Sequence, residues 1–224
     1  MRLTARKAAV FATALAALWA ADVRAQSRGR DLPDGFRTLA GVTLDRDSAA
    51  TVRAKLGDTR ERRVGSGHDV FVSWCYVQTA RPPGALLELM SDASDMGTPG
   101  HELNVIQLRA DASAADREGC ASLREPVQLS TPAGLRLGLN IAAVEKLLGP
   151  PTRRNADSLT YYFDAKEYLT PNTPEYEVWN TLEERESCFD AGPPYANVEA
   201  AVMVRFRHGQ ATEIRVERFD KAVC

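Results

Sequence analysis

Residues 198–206 read Val-Glu-Ala-Ala-Val-Met-Val-Arg-Phe. Val198, Ala200, Val202, Val204 and Phe206 fall on one side of an extended chain. Glu199, Ala201, Met203, Arg205 and then Arg207 fall on the other. A period of two marks a strand with one buried and one wetter face. His208-Gly209-Gln210 suits a tight hairpin turn. Ala211 to Phe219 reads as the returning strand, with Cys224 beyond it.

Upstream, Ala191-Gly-Pro-Pro194 breaks the chain. A strand is expected to start at Tyr176-Glu-Val-Trp179 and run toward Cys188, and another over Leu159-Thr-Tyr-Tyr-Phe163. Before them lies a helix. Asn140 is placed to cap it, Ile141, Val144 and Leu148 make its apolar stripe, and Gly149 ends it ahead of Pro150-Pro151.

The N-terminal half repeats this order. Asp47 is the expected cap of a short helix with Ala49, Val52 and Leu56 on one face and Gly57 at its end. Strands are expected over His68–Val77, Ala85–Met90 and Leu103–Leu108, with a break at Arg81-Pro-Pro-Gly84 and a loop over 91–100. Asp111–Gly119 is polar, and Cys120 returns to the sheet. One constant shift carries Val52, Leu56, Gly57 and Phe71 onto Val144, Leu148, Gly149 and Phe163. The expected class is therefore α+β, with a short helix on an antiparallel meander occurring twice, around one continuous core or two small ones. The first module spans 38–122 and the second 137–224, with linkers at 26–37 and 123–136. Trp74, Phe163 and Phe206 are expected in the core.

The first 25 residues look like an export signal. Arg2, Arg6 and Lys7 precede the uncharged run Ala8–Ala21, and Val23-Arg24-Ala25 places small residues before a cut at Gln26. Cleavage leaves no later stretch long and apolar enough to span a bilayer. The expected location is the bacterial periplasm, or the medium. Of 28 basic and 30 acidic residues, the mature chain keeps 24 and 29, a net charge near −5. That balance argues against a nucleic-acid binder, which concentrates basic charge.

Four cysteines remain after processing. In an oxidising compartment an even count makes disulfides. Three pairings are possible, and the modular layout favours Cys75–Cys120 and Cys188–Cys224 over a cross-module pair or a free thiol. No Cys-x-x-Cys or His-x-x-x-His spacing offers a metal site, and no Gly-rich loop opens a helix to hold a cofactor.

Catalytic signatures are lacking. His68-Asp69 and His101-Glu102 are sequence neighbours, which in a strand point to opposite faces. Ser66 and Ser73 lie in no nucleophile elbow. Gly65-Ser-Gly67 reads as a turn, and Glu183, Glu184 and Glu186 as a solvated face. A hydrolase using His68 or His101 with nearby carboxylates is the enzymatic alternative. Exported protein binding, with a partner in the cell envelope, is the favoured reading. Tyr168, Tyr176, Trp179 and Tyr195 sit beside Pro, Asn and Gly breaks and are the candidate binding aromatics.

The segments Gly41-Val-Thr-Leu with Val52-Arg-Ala-Lys-Leu-Gly57, and Leu137-Gly-Leu-Asn with Val144-Glu-Lys-Leu-Leu-Gly-Pro-Pro151, resemble the opening of the SmpA/OmlA outer-membrane assembly lipoproteins. Two such modules, each with a disulfide, are similar to the β-lactamase inhibitor protein layout. That resemblance implies a continuous curved sheet with helices on one face and a protein-binding surface on the other. It also implies an acidic loop, which Asp92-Ala-Ser-Asp95 could supply, and raises inhibition of a secreted enzyme as a further alternative. The lipoprotein cysteine is absent, so lipid anchoring does not follow.

Overall fold

The computed structural model describes residues 30–66, 69–79, 84–92, 102–123, 127–168 and 195–221. Four short helices are described: α1 (Asp34–Arg37), α2 (Ala49–Leu56), α3 (Ala114–Arg117) and α4 (Ile141–Leu148). Strands β1 (Thr38–Leu39) and β2 (Val42–Thr43) form a small hairpin. Its turn residues Ala40 and Gly41 both have positive φ, 57° and 76°, as the primed turns of tight hairpins require.

The other strands are β3 (Glu61–Ser66), β4 (Asp69–Val77), β5 (Leu86–Asp92), β6 (Val105–Arg109), β7 (Ala121–Ser122), β8 (Arg153–Arg154), β9 (Ser158–Tyr168), β10 (Tyr195–Arg207) and β11 (Gln210–Lys221). They make one nine-stranded sheet in the order β3-β4-β5-β6-β11-β10-β9-β8, with β7 beside β4. Every pairing is antiparallel except β4 with β7. The chain is thus a mixed α+β protein with a few helices and a large antiparallel sheet. Its last long strand, β11, lies in the middle, pairing Glu213 with Arg109 and Glu217 with Val105.

The alternation over Val198–Phe206 sets the register of the core. Val202 pairs with Tyr161 on one side and Val216 on the other. Val216 pairs with Ile106, and Ile106 with Leu89. Leu89 pairs with Trp74. These side chains make one buried row across the sheet, with Trp74, Phe163 and Phe206 in the same core as expected. Each helix of eight residues is marginal by itself. Val52 and Leu56 of α2 and Val144 of α4 are buried against this row, each contributing about 2 kcal/mol of apolar burial. Gly57 and Gly149 end the two helices at φ 102° and 83°, a region closed to most side chains.

Several local expectations need correction. Ser48, not Asp47, caps α2, its hydroxyl accepting from the Thr51 N–H. Asp47 is buried and turns back to the β1–β2 hairpin, accepting from the Thr43 N–H at 2.7 Å and from Lys55 Nζ at 2.8 and 3.0 Å. Of the expected Gly65-Ser-Gly67 turn, Gly65 and Ser66 instead end β3, paired with Val70 and Asp69, and Gly67 lies outside the described residues. Strands β3 and β8, unanticipated, occupy the two ends of the strand order. Residues 30–37, read as polar linker, carry α1 and place Leu32 and Phe36 in the core, and Leu129 and Leu135 of the second linker join them.

This N-terminal segment lies against the helix side of β11. There Arg218, one pair-step beyond Val216 on the inward row, is 3% exposed. Its Nη1 donates to Asp45 Oδ2 at 2.6 Å, and its Nε lies 3.8 Å from Asp31 Oδ1. Asp31 also pairs with Arg37.

Candidate functional site

Period-two geometry gives the sheet a second face, opposite the main core. Its rows follow from the same registers. One runs Ser73–Met90–Val105–Glu217–Ala201–Tyr162, and the next Cys75–Glu88–Gln107–Arg215–Met203–Thr160 with Arg153 at the edge. None of the four described helices contributes to the core on this side except through the short segment around α3.

That segment covers one end. Cys75, wholly buried, is disulfide-bonded to Cys120, as the modular layout favours. Cys75, Leu86 and Ala112 form a small second apolar cluster. Ser113 caps α3 in a reciprocal arrangement with Asp116, which satisfies two otherwise orphan donors. The Ser113 backbone N–H and then its hydroxyl hold the Asp116 carboxyl below the usual range, with Arg109 adding to the effect.

The middle of the face is a polar ladder. Gln107 Nε2 donates to Glu213 Oε1 at 2.8 Å, and Arg215 Nε to Glu217 Oε2 at 2.7 Å. Arg109 lies 4.0 Å from Glu88 and 3.5 Å from Asp116. Arg205 lies 3.4 Å from Glu213, and Arg207 lies 3.5 Å from Asp111. These groups neutralise one another. Among the described residues no three His, Cys, Asp or Glu side chains gather where a metal could bind.

The exposed part lies over β8, β9 and β10. Tyr162 is 48% exposed, beside Ala201 and the half-buried Met203. At the opposite end of the face, the rings of Phe71 and Phe219 meet edge to face with centroids 6.3 Å apart, although β5 and β6 separate their strands.

Of the expected binding aromatics, Tyr168 and Tyr195 are register partners at the end of the β9–β10 pair. Tyr176, Trp179, Cys188, Cys224, His68 and His101 lie outside the described residues. Asp92 ends β5, and the rest of the expected acidic loop is likewise outside. Tyr162, Met203, Arg205 and Arg153 were not singled out as binding residues. The signal for two of them was the alternation itself, which puts Met203 and Arg205 on the outer row.

Two buried tyrosines lie beneath the helix layer. Tyr76 pairs with Leu87, which pairs with Leu108, and Tyr161 pairs with Val202, which pairs with Val216. Burial pushes each phenol up to about 12. For Tyr76, Arg53 opposes and Asp58 adds to the shift, and for Tyr161 Arg154 opposes it. An unfolded tyrosine titrates near 10, so the unfolded chain releases these protons first. Their contribution is intact below pH 10 and is lost as pH rises from 10 to 12, on the order of 2–3 kcal/mol for each phenol. Denaturation followed against pH, with phenolate absorbance, should show this loss. Tyr76→Phe and Tyr161→Phe should each reduce it, and an unchanged alkaline slope in both variants would refute the assignment. At neutral pH the two should differ. Tyr76 Oη donates to Gly57 O at 2.9 Å, and losing that bond costs about 1 kcal/mol. Among the described residues Tyr161 Oη has no hydrogen-bond partner, so its removal should be neutral or stabilising by about 1 kcal/mol.

No family model matches this chain, and no curated protein or solved structure does. Among the described residues no helix is long and apolar enough to cross a membrane.

Proposed function

We propose that this chain is an exported, non-catalytic protein-binding module of the bacterial periplasm, working through the face of its sheet opposite α2 and α4. The observation that carries the reading is Tyr162, a large aromatic 48% exposed on that face. Tyrosine joins a rigid apolar body to a polar tip and is favoured where proteins meet. A Met beside it and arginines around it are the other residue types enriched at such surfaces.

Two tandem modules in one curved sheet remain the favoured architecture. The strand order runs β3 to β6 and then β11 back to β8, as expected of two copies joined by their last strands. By strand register, though not by the constant shift that relates the helices, Tyr76 and Tyr161 fall at matching places in the two halves. Arg53 of α2 pairs with Glu61 at the start of β3, and Glu145 of α4 pairs with Arg154 of β8. The same helix-to-strand bridge recurs with its charges exchanged. Export is supported by the leader-like first 25 residues and by a disulfide, which persists in oxidising compartments.

The test compares partner capture from a periplasmic extract by the mature chain and by a Tyr162→Ala, Met203→Asp double variant. A partner retained by the first and lost by the second supports the reading. Equal retention by both, or none by either, would sink it.

A further inference from the structure

We infer that the partner engages this face through a short acidic segment, laid on the end formed by β8, the start of β9 and the last turn of β10. This rests on the protein-binding reading above. Arg153, Arg205 and Arg207 all lie on the face opposite α2 and α4, and Arg153 and Arg205 flank the Thr160–Met203 and Ser158 positions by register. Tyr162 is two residues beyond Thr160 on the same strand side.

The sign of the exposed charge follows from depth. In the Arg205–Glu213 pair the arginine side chain is 57% exposed and the glutamate side chain 13%. In the Arg207–Asp111 pair the values are 65% and 32%. Glu213 is further engaged by Gln107. Each carboxylate lies low and each arginine fork stands outward, so a partner meets positive charge. Exposed pairs of this kind are worth about 0–1 kcal/mol, so they leave the forks free to re-pair. Arg153 is exposed with no carboxylate within 4.0 Å among the described residues. Arginine forks match carboxylates in a bidentate way.

At the far end of the face the exposed charges are mixed, Asp92, Asp164 and Glu199 with Lys166 on the same side by register. The outward arginines are confined to the near end. A compact acidic loop spans only Arg153 to Arg207, with an apolar side chain reaching Tyr162 and Met203. The distance from Met203 to Arg207 is about 14 Å of strand.

The experiment selects binders to the immobilised mature chain from a phage-displayed library of random peptides. Selection is repeated on an Arg153→Ala, Arg205→Ala, Arg207→Ala variant and on Tyr162→Ala, each checked for wild-type circular dichroism. Enriched sequences are expected to cluster Asp and Glu around an apolar residue. They should lose on the order of tenfold in affinity on the triple variant and weaken as salt is raised. Binders lacking acidic residues, or acidic binders indifferent to the triple variant, overturn the inference. If Tyr162→Ala still abolishes those binders, the protein-binding reading survives it. Binders indifferent to both variants, or no enrichment at all, count against both.

Discussion

Replacing Arg218 with alanine is expected to lower the stability of the fold by about 3–5 kcal/mol. The guanidinium is buried on the core side of β11 and is held by Asp45 at 2.6 Å, with Asp31 beyond. Removing it takes the closest counter-charge from the largely buried Asp45, while Asp31 keeps its pair with Arg37. The N-terminal segment should suffer most, because Asp31 and Asp45 flank α1 and the β1–β2 hairpin. Denaturant titration with tryptophan fluorescence measures the loss, and amide exchange over residues 30–47 locates it. Arg218→Met combined with Asp45→Ala should recover most of it, since an apolar pair of similar volume can replace a buried ion pair. A loss below about 1 kcal/mol in the single variant would mean the pair is solvated and the burial argument wrong.

The second large effect concerns Cys75 and Cys120. Their bridge spans 45 positions, and closing a loop of that length restricts the unfolded chain by about 4 kcal/mol in the chain-entropy account. The double Cys75→Ala, Cys120→Ala variant should lose about 2–4 kcal/mol. Reducing the wild-type protein should reproduce that loss. Exchange protection should fall first over residues 110–122, because Cys75, Leu86 and Ala112 make only a small cluster beneath that segment. Equal stability of the oxidised and reduced proteins would show that the bridge constrains nothing.

The parts of this fold legible in the sequence were those where one face is fully buried. Val198–Phe206 pairs on both sides and faces the core at every second residue, so its pattern is unmixed. The helices were legible through Asn140, Gly57 and Gly149, whose chemistry acts within a few residues. The Asp47 error shows where local rules stop. Asp47 and Ser48 are both good caps, and the choice falls to Lys55 and the Thr43 N–H, both on neighbouring elements. Strand β3, Glu-Arg-Arg-Val-Gly-Ser, has β4 as its one hydrogen-bonded neighbour among the described strands, and carries little apolar signal. The candidate site was harder still. Tyr161 and Tyr162 are adjacent and identical in composition, yet one is 2% exposed and the other 48%. Only the parity fixed by Phe163 in the core separates them. Arg218 sits where Ile214 and Val216 set an inward row, and nothing local announces that Asp31 and Asp45 will meet it.

The seam between β6 and β11 also sets an order of events. Arg109 cannot find Glu213 until about a hundred further residues have been made. Until then β6 presents an open backbone edge, a template for pairing with another chain. Contacts of such long sequence separation close slowly. The early half must therefore wait, part-built, for β11, and truncation within 210–221 should produce aggregation rather than a smaller folded protein.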